Sequence, residues 1–310
     1  SELSLSTKIF SELVRFYSPP TIVGRRHRLT VEAIQLDYKL TAEQWLLQHF
    51  LSTGYTVEGF HVYSESRAEA LTVKIERDVS YLVRTLVEIN GSQVVLVQYY
   101  LPVENYADDK ILQAQVINSF SLVNRDEQQS VEEMLQYDFL DIAHIKYPSS
   151  WKLRSSPLRS VDYMEASLLN VPSTGEGGFD ENATLDGRIS VQLFSAYSTE
   201  SLDEAIKSFE EKQKLSGVEL EDEVENHQYI EFNEAYEFAR VRVKSAREKG
   251  AKEAEYEMWT AMMSSEDYFY FVTLLTPSKD EDFFLWSRNT ETYKLVLENV
   301  TPKIDSITAQ

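Results

Sequence analysis

The side chains able to do acid–base, nucleophilic or metal chemistry are few and scattered. Five histidines stand at 27, 49, 61, 144 and 227, and no two are three or four residues apart. No helix can therefore present a pair of imidazoles to one metal ion. Cysteine is absent, which removes a thiolate nucleophile, a disulfide framework and thiolate-ligated metal together. No Gly-x-Ser-x-Gly turn occurs, so a Ser-His-Asp site would have to assemble from distant residues. Gly175–Asp180 is glycine-rich, but no Lys-Ser/Thr follows it to hold a phosphate. Asp180–Gly187 has the acids of a calcium loop, yet Leu185 takes the position that needs glycine and Val191 the position that needs glutamate. A set of Asx turns suits that stretch better. The expectation is a chain with no catalytic residues, no cofactor and no metal.

Two basic clusters stand out against an acidic background. Arg25, Arg26 and Arg28 flank His27 just before an apolar strand. Lys244, Arg247, Lys249 and Lys252 surround the tip of a predicted hairpin. An exposed charged tip is the ordinary reading of such a hairpin. A tip that reaches beyond the domain body is also a natural docking contact, so these seven residues are the candidate partner-binding set. Acidic runs at Glu219–Glu225 and Lys279–Asp282 read as solvated surface or as attraction for a basic partner.

The whole chain carries 30 Lys/Arg against 51 Asp/Glu, a net charge of −21. A nucleic-acid partner requires a basic surface, so that class is excluded and other proteins are the expected partners. The imbalance is uneven. Residues 1–125 hold 12 Lys/Arg and 14 Asp/Glu, whereas residues 126–310 hold 18 and 37. No apolar run reaches the ~18 residues of a membrane span. The chain starts at Ser1, so a signal or lipid-anchor segment upstream stays an open alternative.

The elements that must position these groups recur in the same order in both halves. Each half opens with an extended stretch running into proline, Val14–Pro19 and Ile145–Trp151. An apolar strand follows, Leu29–Leu36 and Ile189–Phe194. Each then starts a helix with a capping box, Thr41 with Gln44 and Ser201 with Glu204. The helices carry Trp45, Leu46, His49 and Phe50, or Leu202, Ala205, Ile206 and Phe209, at helical spacing. His49 on that apolar face is expected to be a packed histidine, and the other four to lie at the surface or at loop edges. Gly54 and Gly217 end the helices. Three strands follow in each half, Ala70–Ile75, Tyr81–Ile89 and Gln93–Tyr100, then Tyr236–Lys244, Ala254–Met263 and Tyr268–Leu275. Asn90-Gly91 is a strong hairpin turn. The last strands reach Pro102 and Pro277, and helices over Ile111–Phe120 and Phe284–Val300 close the halves. Val94–Leu101 is apolar at nearly every position, as in a strand covered on both faces. A tandem duplication accounts for this order: a first domain over 1–123, a linker over 124–136 running into a short helix at Val131–Asp138, and a second domain over 137–310.

The second half resembles the Mog1/PsbP-like fold, in its DcrB and Eag-chaperone branch. The residues that carry the resemblance are Ile145-Lys146-Tyr147-Pro148-Ser149-Ser150-Trp151, the Leu202–Leu215 helix, Phe271–Pro277, and Trp286 with Thr292–Leu297. The first half resembles a shorter copy over roughly 10–123, without the tryptophan after its proline. The resemblance implies an α+β class, two tandem domains each with an antiparallel sheet and helices on its faces, and a non-catalytic life of binding proteins. The expected role is an accessory or assembly protein of the bacterial cell envelope or a secretion machine, periplasmic or envelope-associated. A cytoplasmic chaperone of the Eag type, holding hydrophobic helices of secreted effectors on the Val94–Leu101 sheet face, is the alternative. A hydrolase built from distant residues is the third.

Overall fold

Hairpin chemistry sets the first sheet. Gly91 turns the chain at φ 58°, and Arg77 and Asp78 turn it at φ 47° and 67°. Consecutive positive φ values at the two central residues define the type I′ turn, whose twist matches that of paired strands. A computed structural model describes residues 11–20, 25–124, 130–155, 160–171, 187–214, 218–225, 230–251 and 253–303. The chain divides into two compact units, Ser1–Glu132 and Glu133–Gln310.

The first unit runs β1 (Ser11–Tyr17), β2 (Arg28–Gln35), α1 (Ala42–Thr53), β3 (Thr56–Ser64), β4 (Arg67–Glu76), β5 (Val79–Asn90), β6 (Gln93–Pro102) and α2 (Tyr106–Asn118). The strands form one antiparallel sheet in the order β1-β2-β6-β5-β4-β3. The capping box forms as the sequence predicts. Thr41 Oγ1 accepts from the Gln44 N–H and Gln44 Oε1 accepts from the Thr41 N–H. Gly54 ends α1 at φ 69° and donates to the Phe50 carbonyl. Trp45, Leu46 and Phe50 of α1 pack on Val87, Val94 and Leu96. Ile117 of α2 packs against Leu86, Val95, Val97 and Leu101 on the opposite face. All of Val94–Leu101 is buried, and the protein's own two helices cover its apolar positions.

The second unit begins with β7 (Met134–Phe139), β8 (Ala143–Pro148), β9 (Lys152–Ser155), β10 (Tyr163–Asn170) and β11 (Gly187–Ser195). It continues with α3 (Leu202–Lys214), β12 (Val218–Glu223), β13 (Phe238–Glu248), β14 (Tyr256–Ser264), β15 (Tyr268–Pro277), α4 (Phe283–Glu298) and β16 (Thr301–Pro302). Seven strands form a sheet in the order β12-β13-β14-β15-β11-β10-β9, and three form another in the order β16-β8-β7. Helix α4 lies between the two sheets, against β15 and β11 on one side and β8 on the other. It carries Trp286, Tyr293, Val296 and Leu297 into a core with Trp151, Trp259, Tyr270 and Ile145. Helix α3 covers the other face of the larger sheet.

Six strands of the seven-stranded sheet, β10 to β15, repeat the connectivity of the first sheet, and β9 is an additional strand beside β10. In each set, two strands, a helix, four strands and a helix follow one another. The strand after the first helix takes one edge, and the last strand pairs with the one before that helix. Two sequence-based assignments need correction. Val131–Asp138 is not a helix: Met134–Phe139 is strand β7, paired with β8 from Met134↔Pro148 to Phe139↔Ala143. Ile145–Trp151 is not the counterpart of Val14–Pro19, because β8 belongs to the three-stranded sheet. The counterpart is β10, paired with β11 as β1 pairs with β2. The glycine-rich and calcium-like stretches fall mostly within 172–186, outside the described residues.

Candidate functional site

Strand alternation builds the site. On β13, Ala239, Val241 and Val243 pack toward α4, which turns Arg240, Arg242 and Lys244 to the α3 side. On β14, Trp259, Ala261 and Met263 enter the α4 core, while Met258 and Met262 pack with α3. The register sets Lys244 beside Met258 and Arg242 beside Thr260. Helix α3 covers only part of this face. Its residues Leu202, Ala205, Ile206 and Phe209 recur at the spacing of one helical stripe. Phe209 stacks on Phe271 at 4.7 Å between ring centroids, and Phe271 meets Phe194 edge-on at 5.5 Å. Lys212 Nζ stands 3.4 Å from the centre of the Tyr163 ring, an arrangement that favours a cation over the π face. Ser201 Oγ accepts from the Glu204 N–H, but Glu204 Oε2 accepts from Glu200, so only half of the second capping box forms.

The uncovered part is a groove of about 600 Å³ between α3 and strands β12, β13 and β14. Ile206, Phe209, Val218, Leu220, Met258 and Met262 supply its apolar surface. Arg242, Lys244, Arg247 and Lys249 bring positive charge to it, and Glu210 and Glu219 are the acids that line it. The four cations are not equivalent. Arg247 is held by Glu219 Oε2 at 3.0 Å and by Glu221 Oε1 at 3.1 Å, across the β12–β13 pair. Among the described residues, the side chains of Arg242, Lys244 and Lys249 have no ion-pair or hydrogen-bond partner.

Three of the seven sequence-predicted residues, Lys244, Arg247 and Lys249, meet at this groove, and Lys252 lies outside the described residues. The other cluster is engaged within the first unit. Arg28 forms a fork to both Glu76 oxygens at 3.0 Å and lies 3.7 Å from the centre of the Tyr100 ring. Arg25 pairs with Glu104, and Arg26 is exposed. His27 lies at a loop edge, one of the two expected settings, directly before β2, but it is not at the surface. It is buried, with Nδ1 3.0 Å from the Tyr99 hydroxyl and Nε2 3.4 Å from Asp109. His49 is packed as expected, stacked on Trp45 at 5.2 Å, and burial beside Lys74 lowers its pKa to about 4. Among the described residues no group of three or more His, Asp or Glu side chains is placed to hold a metal ion.

Sequence reasoning missed Arg242 and the apolar surface. The alternation Ala239-Arg240-Val241-Arg242-Val243-Lys244 carries the signal, since it writes a row of cations on one strand face. The apolar surface comes from residues 206–262 on three elements, α3, β12 and β14, and no local pattern joins them.

No protein-family model matches the sequence, and no curated protein matches it. Comparison with solved structures returns the Tle4–Tli4 complex at 10% identity and a TM-score of 0.22, covering 92% of this chain and 91% of that one. It also returns the immunity protein TplEi of the T6SS from Pseudomonas aeruginosa, at 10% identity and a TM-score of 0.21, covering 96% and 97%. TM-scores of this size establish no common fold. No described helix is long and apolar enough to cross a membrane.

Proposed function

We propose that this chain is a non-catalytic protein that binds another protein, and that the groove beside α3 is where it does so. One observation carries the reading: three cations whose side chains have no partner among the described residues border an apolar groove in a chain of net charge −21. A chain so rich in carboxylates has the means to neutralise them, as it neutralises Arg247. Cations left free beside exposed apolar surface favour a partner that brings the opposite charge. We further propose that the two units are copies of one Mog1/PsbP-like module, a reading supported by their common connectivity. The Eag-type reading lacks that support, because α1 and α2 already cover the apolar positions of β6. We also propose that the chain is an accessory or assembly protein of the bacterial cell envelope or of a secretion machine, which fractionation of native cells tests.

Photo-crosslinking tests the site. Benzoylphenylalanine in place of Thr260 sits on the groove, and in place of Tyr197, 87% exposed, it sits on open surface. The expected result in native cells is a discrete protein adduct from position 260 and none from 197. Equal labelling from both positions, or no adduct from 260, overturns the reading.

A further inference from the structure

We infer that the groove takes an extended acidic segment of its partner, six or seven residues long, with carboxylates alternating with apolar side chains. This rests on the protein-binding reading above and adds the chemistry of the occupant. The free cations are not gathered at one point. Arg242, Lys244 and Lys249 follow one another along β13 and its turn, and a strand rises ~3.3 Å per residue, so the row spans roughly 20 Å. A ligand with a single anionic head, such as a fatty acid, satisfies one of these charges and leaves the others as they are. A segment of six or seven extended residues is as long as the row and places carboxylates on one side at every second position.

The groove also separates the two kinds of side chain. Its cations stand on the β13 side. The α3 side presents Ile206 and Phe209 with Glu210, and Met258 and Met262 lie between. Glu219, on the β12 side, is already engaged by Arg247, whereas carboxylates directed at α3 meet the charge of Glu210, so the acidic edge faces β13 and the apolar edge faces Phe209 and the methionines. The unbranched thioether side chains of Met258 and Met262 adapt to apolar groups of different shape. A volume near 600 Å³ lies in the range that encloses a few side chains. A basic peptide is repelled by the row of cations.

Fluorescence anisotropy on the full chain tests the assignment. The probes are labelled seven-residue peptides alternating leucine with glutamate, with serine or with lysine, and decanoate serves as an unlabelled competitor. The glutamate peptide is expected to bind. It should weaken about tenfold or more between roughly 0.05 and 0.5 M salt, as exposed charge pairs do when screened. Combined Arg242→Glu, Lys244→Glu and Lys249→Glu should abolish binding. The milder Lys244→Gln with Lys249→Gln should weaken it severalfold, and an unchanged circular dichroism spectrum certifies both proteins as folded. Equal binding of the serine peptide, or complete displacement by decanoate at matched concentration, overturns the acidic-segment assignment. Failure of every peptide while the position-260 adduct persists overturns the assignment and leaves the protein-binding reading standing. Loss of that adduct removes both.

Discussion

Trp259 and Trp286 donate their indole N–H groups to the same carboxylate oxygen, Oε2 of Glu257, at 2.9 and 2.8 Å. The shared acceptor ties strand β14 to helix α4 across the core of the second unit. The two rings lie 6.4 Å apart between centroids, and Glu257 is 9% exposed. Hydrogen bonds to a charged acceptor are stronger than neutral ones, and a buried donor left without a partner carries its full desolvation cost. Glu257→Leu strands both indoles and is expected to destabilise the unit by about 2–4 kcal/mol. Glu257→Gln keeps a carbonyl oxygen and should lose roughly half as much. Urea denaturation followed by tryptophan fluorescence separates the two; equal costs for both variants would show that the acceptor role is immaterial.

His49 makes the stability of the first unit depend on pH in one direction. Burial first, and Lys74 second, lower its pKa from 6.5 to about 4. The unfolded chain therefore takes up a proton that the folded chain refuses between those values. Stability is full above pH 6.5, falls as the pH drops toward 4, and stops falling there, by up to about 3 kcal/mol from this residue. His49→Phe retains an aromatic ring beside Trp45 and removes the titration. Its stability should fall less than that of the wild type between pH 7 and pH 4.5. Parallel curves for the two proteins count against the assignment.

Much of this architecture is legible wherever a local rule decides it. Thr41 with Gln44, and Gly54, each specify a cap within a few residues, and each forms; the Asn90-Gly91 hairpin also forms, with its turn one residue later, at Gly91 and Ser92 between the paired Asn90 and Gln93. Where partners decide, local pattern misleads. Glu132-Glu133-Met134-Leu135-Gln136 is made of good helix formers, yet pairing with β8 draws Met134–Phe139 into a strand. Tyr163–Asn170 likewise reads Met-Glu-Ala-Ser-Leu-Leu, but it lies between β9 and β11 with ladders on both edges. The groove divides in the same way. Its cations sit within one strand and its turn and are visible in the sequence, whereas its apolar surface depends on how α3 crosses the sheet.

Arg28 and Glu76 form a two-pronged charge pairing in the first unit. The Arg28 fork, with Lys74 beside it, holds the Glu76 carboxyl at about 2 against an ordinary 4.5, despite the opposing effect of partial burial. A depressed carboxylate contributes stability above pH 4.5 and loses it as the pH falls toward 2. Glu76→Gln is expected to cost about 1–2 kcal/mol at pH 7, allowing for its partial exposure, and almost nothing near pH 2. Arg28→Lys cannot make the fork or lie flat on the Tyr100 ring, so it should show a comparable loss at pH 7. Thermal melts across this pH range provide the comparison; a Glu76→Gln deficit independent of pH would exclude the ion pair as its source.

Gly187 and Asn289 are coupled by contact. A Cβ built on Gly187 stands 2.5 Å from Asn289 Nδ2 and 2.8 Å from its Cγ. Asn289 cannot move away freely, because its Nδ2 donates to Thr276 Oγ1 at 2.9 Å and its Oδ1 accepts from Asn170 Nδ2 at 2.9 Å. The absence of a side chain at the start of β11 is therefore a packing requirement, set by a buried amide that joins α4 to β10 and β15. Gly187→Ala is expected to destabilise the second unit by about 1–3 kcal/mol through overpacking. Asn289→Ala carries its own cost by releasing two buried hydrogen bonds. In the Asn289→Ala background, however, the alanine at 187 has space, and its added cost should fall close to zero. The double-mutant cycle reads this as a coupling of about 1 kcal/mol or more, and strictly additive costs would show that the strand relieves the clash by shifting its backbone.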